Sequence, residues 1–239
     1  AHYIAIPKDI LRISQEFNFG IYIKIDDHFA AIIPRGIPID EKKLTTVGNR
    51  QVYVSESDVE AYQEAYKKFL EGMQSPDRAI HLKKEAFSTI ARIFESSDTS
   101  TALQAAVPIM ENMVEFITTI PTAISNLLQL SSHSYYTYNH SVNVAVYTLG
   151  LCIKIFPEIS KDEMKSIALG GFLHDIGKKN IPSEIINKPD KLDEEEWKMM
   201  KKHPEWGYEM VRNENFCDDI VKAIILQHHE NFNGSGYPK

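Results

Sequence analysis

The chain has 239 residues, 43% hydrophobic and 25% charged, enough for one large domain or two smaller ones with ample core. Its 33 acidic and 26 basic residues leave a net charge of −7, which gives no reason to expect a duplex nucleic-acid surface; an anionic substrate has to be held by local charge. The two cysteines, Cys152 and Cys217, sit in apolar surroundings and form no CxxC pair, so buried free thiols in a reducing compartment are expected. No basic segment followed by an apolar run opens the sequence, and no signal peptide is expected.

Residues 1–72 have their own texture. Ile21, Ile23 and Ile25 alternate with Tyr22 and Lys24, the spacing of a strand. Phe29 to Ile33 and Val52 to Val54 are further short strands, and Pro34-Arg35-Gly36 and Val47-Gly48-Asn49 are turns. Ser57 or Asp58 is placed to cap a helix through Val59, Tyr62, Tyr66 and Phe69. This predicts a small α+β regulatory module over residues 1–72, without a cluster of ligand side chains. His2, His28 and His81 are scattered and are assigned surface or packing roles. A linker is expected over residues 73–78.

From residue 79 the pattern is helical. Ala86, Ile90, Ile93 and Phe94 recur at helical spacing, as do Val107, Met110, Val114 and Ile117. Between Phe116 and Ile153 there is no Asp, Glu, Lys or Arg. Ser, Thr, Asn and Gln interrupt this stretch too often for a membrane span, which predicts helices packed on several sides near the centre of a bundle. A helix carries His140 and is stopped by Pro157; Ser160 or Asp162 caps the next, which ends at His174-Asp175 with Gly177 at its C-terminal end. Asp193 caps a helix whose first turn holds Glu194, Glu195 and Glu196 and which runs to His203. The last helix starts near Asp218, buries Ile220, Ala223, Ile224 and Ile225, and delivers His228-His229 to a glycine-rich loop.

Separate helical segments thus present His140, His174, His203 and His228-His229 at or near their ends, with Asp175 beside His174. Borderline divalent ions such as zinc, iron and manganese accept imidazole nitrogen together with carboxylate oxygen. Five imidazoles and a carboxylate exceed what one open catalytic site takes. They suit two ions bridged by Asp175, a centre that can activate a bridging water for in-line attack on phosphorus. Lys178 is placed to add a fixed positive charge.

Four stretches resemble the HD-GYP family of HD phosphohydrolases: Tyr136 to Ser141, His174-Asp175-Ile176-Gly177-Lys178, His203 to Tyr208, and His228-His229-Glu230 through Gly236-Tyr237-Pro238. They occur in order between Ser134 and Lys239. The resemblance implies a mainly α chain: an HD-type helical bundle over residues 79–239, preceded by the small α+β domain. It implies a metal-dependent bacterial, cytoplasmic phosphodiesterase that opens cyclic di-GMP to linear di-GMP, with possible further hydrolysis to GMP, through a metal-bridging hydroxide. His140, His174, Asp175, His203, His228 and His229 would be the ligands of two divalent ions, iron or alternatively manganese. Asp175 and Lys178 would serve catalysis, and Lys178, Tyr237 and Gly236 would meet substrate. Gly234 and Gly236 would let the loop fold close to the site. Glu230 is left open between a supporting partner of the ligands and a solvated acid.

Two departures qualify that picture. Members with a third metal place a carboxylate four residues before the first ligand histidine; Tyr136 stands there, which implies two ions. The family pattern also continues beyond this loop with another ligand aspartate and basic residues, so an incomplete first metal shell and an open pocket are expected. Asn233 stands where many members have Asp. Two competing readings are a cyclic di-GMP sensor or docking module with little turnover, and an HD phosphohydrolase for another nucleotide. The N-terminal module is expected to serve regulation, a homodimer contact or a signalling partner.

Overall fold

A computed structural model describes residues 2–12, 16–48, 50–130 and 137–238. It divides into two compact units, residues 1–74 and 75–239. Asn49, Tyr136 and Lys239, which figured in the turn, the third-metal position and the end of the motif match, lie outside the described residues.

The first unit is an antiparallel sheet with two helices. Its strands β1 (Tyr3–Ile6), β2 (Ile21–Ile25), β3 (His28–Ile33) and β4 (Val52–Ser55) lie in the order β1-β4-β2-β3. Period-two alternation sends Ile6, Ile21, Ile23, Val52 and Val54 into the core. Tyr22 and Tyr53 pair directly across β2 and β4, and Tyr53 also meets Phe29 at 5.0 Å between ring centroids. Helices α1 (Glu41–Val47) and α2 (Val59–Gly72) complete the unit. Strand β1 and helix α1 escaped the sequence pattern. Tyr3 to Ile6 has no polar residue to mark alternation, and α1 carries only Leu44 and Val47 as large apolar residues. Asp58 precedes α2 but makes no side-chain cap; it accepts from the Gly20 amide at 3.0 Å and pairs with Arg35.

The expected linker over 73–78 is shorter than foreseen, because helix α3 (Ser75–Glu95) begins at Ser75. Pro76 falls in its first turn, where a missing amide proton costs nothing. Helices α4 (Thr99–Gln104), α5 (Ala106–Thr119) and α6 (Ala123–Gln129) follow. Then come α7 (Thr137–Ile155) and α8 (Lys161–Leu173), a 3-10 turn at Ile176–Asn180, and α9 (Ser183–Ile186). Helices α10 (Glu194–Met200), α11 (His203–Val211) and α12 (Asp219–Gln227) close the unit.

Helix α8 is the axis of this unit and packs on α5, α7 and α12. Its stretch Ala168 to Leu173 is buried without a break. Gly170 makes room for α12, since a Cβ there would lie 2.8 Å from Ile224 Cδ1. Ser160 and Glu163 form a reciprocal capping box at the start of α8, and Asp193 with Glu196 does the same for α10. Asp218 caps α12.

Three local expectations need correction. The helix capped by Asp193 stops at Met200, and His203 opens a new one, α11, with Pro204 in its first turn. The buried side of α12 is Val221 and Ile225, whereas Ile220 is 36% exposed. The charge-free stretch is enclosed only in part: along α7, Tyr147 and Leu151, four residues apart, stay exposed. Among the described residues no helix is long and apolar enough to cross a membrane.

Candidate metal centre

Asp175 is the pivot. Helix α8 ends at Leu173 with His174 as its C-cap, and Asp175 takes φ −93 and ψ 6 before the 3-10 turn begins. That bridge-region backbone turns the chain sharply. Two consecutive side chains, which a continuing helix would splay apart, therefore reach one point. Both are buried, at 7% and 2% exposure.

Each carboxylate oxygen of Asp175 faces a different pair of imidazoles. Oδ2 lies 3.2 Å from His174 Nε2 and 3.7 Å from His140 Nε2. Oδ1 lies 3.3 Å from His203 Nε2 and 3.8 Å from His228 Nε2. Two groups follow, each with donor atoms within 4.8 Å of one another: His140, His174 and Asp175, and Asp175, His203, His228 and His229. The structure thus brings together all six residues named as ligands from the sequence, with Asp175 common to both groups.

The helix ends orient the rings. The last carbonyls of a helix lack intrahelical donors, and here imidazoles fill the gap. His174 Nδ1 donates to Gly171 O at 2.6 Å, His203 Nδ1 to Met200 O at 2.8 Å, and His228 Nδ1 to Ile225 O at 2.9 Å. Each partner lies three residues back along the chain. The Nε2 atoms of His203 and His228 face each other across 3.0 Å, and those of His140 and His174 across 3.1 Å. Burial and the neighbouring His174 push His140 below the ordinary imidazole range. Burial, His174 and His229 push His228 down to about 3, and His229 is lowered by burial and His203. Burial opposes ionisation of Asp175, yet His174, His203 and the Lys178 ammonium outweigh it and hold the carboxyl well below its usual range. Imidazole nitrogens gathered around a buried carboxylate are the donor set of a divalent cation, and the residues fit such an ion on each side of Asp175.

Lys178, one turn after Asp175, places Nζ 2.8 Å from Oδ2. The glycines act mainly through close approach. Gly177, expected at a helix end, lies inside the 3-10 turn; a Cβ there would sit 1.9 Å from the backbone oxygen of His203. Its bareness lets α11 carry His203 against the turn. At Gly236 a Cβ would meet His229 O at 2.3 Å, while Gly234 takes φ 73. The loop folds back through Tyr237 N to His229 O at 3.2 Å. Tyr237 lies flat on His229, with centroids 4.6 Å apart at 17°. Glu230 is half-buried beside the ligand pair.

Some supporting groups were invisible beforehand. The three backbone carbonyls leave no mark in residue types, although a histidine three positions past a helical residue at a helix end is a usable signal. Lys179, adjacent to Lys178, donates to Ile93 O at 2.7 Å and Ser96 O at 2.5 Å, tying the 3-10 turn to the end of α3. Phe94 and Phe87 of α3 pack on Tyr138 at 5.2 and 6.0 Å between centroids, two residues before His140.

The chain is similar to known proteins. The HD-domain family model matches residues 122–239. A cyclic di-GMP phosphodiesterase of Pseudomonas aeruginosa, PA4108, is 32% identical over 148 residues, covering 62% of this chain and 34% of that protein. The response regulator RpfG of Xanthomonas campestris, also named a cyclic di-GMP phosphodiesterase, is 42% identical over 81 residues, covering 34% of this chain and 21% of its own. The 3′3′-cGAMP-specific phosphodiesterase 2 of Vibrio cholerae is 36% identical over 128 residues, 53% of this chain and 24% of its own. The chain therefore spans about a third or less of the length of these relatives. In fold it is similar to the solved structure of Bd1817, described as a HDG"Y"P protein from Bdellovibrio bacteriovorus. There the TM-score is 0.60 at 24% identity, over 98% of this chain and 80% of that one. Residues 122–239 of this chain thus match the HD-domain family, and its fold is similar to that of an HD-GYP protein.

Proposed function

We propose that this domain is a metal-dependent phosphodiesterase that opens cyclic di-GMP to linear di-GMP. The observation that carries the reading is the division of Asp175 between two imidazole sets, Oδ2 toward His140 and His174 and Oδ1 toward His203 and His228. Two divalent ions in these groups, iron or alternatively manganese, would supply Lewis-acid polarisation of the phosphate and an activated water.

The chain's own residues do the rest. His174, His203 and His228 are held by backbone carbonyls, so their Nε2 atoms are oriented before anything binds. Lys178, beside Asp175, adds positive charge where the phosphate oxygens gain negative charge. Tyr237 and the backbone at Gly236 border the site on the His229 side and are assigned to substrate contact. Hydrolysis adds water across one P–O3′ bond: oxygen goes to phosphorus and a proton to the departing 3′-oxygen. The same reading puts the enzyme in the bacterial cytoplasm, with residues 1–74 as a regulatory or self-association module.

The relatives named for 3′3′-cGAMP favour a second reading, in which a mixed purine dinucleotide is the preferred substrate. A substrate panel decides. Protein loaded with iron or manganese under anaerobic conditions is incubated with cyclic di-GMP and with 3′3′-cGAMP, and products are separated by chromatography. Linear di-GMP as the faster product is expected. Faster opening of 3′3′-cGAMP would transfer the assignment to it, and binding of both without product would leave a sensor.

A further inference from the structure

Outward from the candidate centre the aromatic rings form a short chain. Tyr237 lies on His229, and Trp197 stands edge-on to Tyr237 at 6.4 Å and 75°. Trp197 keeps 47% of its surface exposed, and its helix α10 buries no residue fully. This indole therefore closes no core. Its helix is nevertheless fixed: the Asp193–Glu196 capping box sets the first turn, and Lys188 Nζ pairs with Glu196 at 2.5 Å. A rigid helix thus presents an open indole at the rim of the site, two ring contacts from His229.

Resting on the phosphodiesterase reading above, we infer that Trp197 is the residue on which one nucleobase of the substrate stacks while its phosphate sits at the candidate metal centre beside Lys178. A phosphate at the centre carries its base outward through the ribose, and every base has a π face that an indole can take. The chain's net charge of −7 offers an anionic ligand no general attraction, so affinity beyond the phosphate must come from local contacts such as this one. Stacking does not distinguish guanine from adenine, so Trp197 selects for a nucleobase and leaves the choice of purine to other groups.

Equilibrium binding to the metal-loaded chain tests this without turnover. The probes are inorganic phosphate, ribose 5-phosphate and GMP; the last two share phosphate and ribose and differ by the base. GMP is expected to bind about tenfold or more tightly than ribose 5-phosphate, the ratio typical of one stacked base. Trp197→Ala should bring that ratio to about one, with phosphate affinity within about twofold of the parent, while Trp197→Phe keeps part of the preference. In a Trp206→Phe background Trp197 is the one tryptophan left, and GMP but not ribose 5-phosphate should quench its fluorescence. This readout holds even if Trp197→Ala does not fold. Phosphate binding without quenching by GMP overturns the inference and leaves the phosphodiesterase reading standing. So does a base preference that survives Trp197→Ala. A parent protein that binds no phosphate rejects both.

Discussion

At the scale of single residues, the centre depends on Asp175 being ionised and shared. Its carboxylate touches both imidazole sets, so removing it separates two sites rather than weakening one. Asp175→Ala is expected to lose bound metal and to lower cyclic di-GMP turnover about 10³-fold or more, several kcal/mol of transition-state stabilisation. Metal analysis and initial rates on one sample check this. His174→Ala should behave alike, and retained turnover in either contradicts the assignment. Acid sensitivity follows from His228. Burial and its imidazole neighbours push it from 6.5 down to about 3. Between those values the unfolded chain binds the proton and the folded chain does not, so stability rises with pH through that window. The melting temperature of metal-free protein should therefore climb from about pH 4 to pH 7, and less steeply in His228→Gln; equal slopes would show that His228 is not held neutral. The six ligand candidates were legible as residue types at helix ends. The carbonyls that aim three of them were not, because every residue has one.

At the scale of elements, the site is set by how tightly α11 meets the 3-10 turn. A Cβ on Gly177 would collide with backbone, His203 O at 1.9 Å and Gly207 N at 2.5 Å, and backbone cannot swing aside. Gly177→Ala is expected to destabilise the unit by about 2 kcal/mol or more and to weaken metal binding, read by denaturant unfolding and metal titration. Near-parental values for both would contradict this packing. Lys179 braces the same turn from α3 through two carbonyls. Lys179→Met, which keeps the stem, should cost about 1–2 kcal/mol. The helix starts at Ser160, Asp193 and Asp218 could be read from the sequence because capping chemistry lies in local side chains. The break between α10 and α11 could not. The residues Lys201 and Lys202 between them are ordinary helix formers, and Pro204 suits a helix start as well as a helix stop.

At the scale of the whole molecule, every candidate ligand lies in residues 75–239, a compact unit of its own. That unit is expected to fold and take up metal when produced without residues 1–74, as seen by cooperative unfolding and metal content; a fragment that fails to fold would make the first unit part of its core. The mainly α chain with a small α+β unit at its start was legible because strand alternation is confined to the first 55 residues, while helical spacing runs on from Val59. The exposed face of α7 at Tyr147 and Leu151 was not, since a stretch without charges reads as buried whether or not anything covers it.

The central claim is that Asp175 holds one ion on each carboxylate oxygen. Anomalous scattering from crystals of protein purified anaerobically and loaded with iron or manganese tests it directly. The account predicts two peaks, one between Asp175 Oδ2 and the rings of His140 and His174, the other between Oδ1 and those of His203, His228 and His229. A single peak, or peaks away from Asp175, would contradict it.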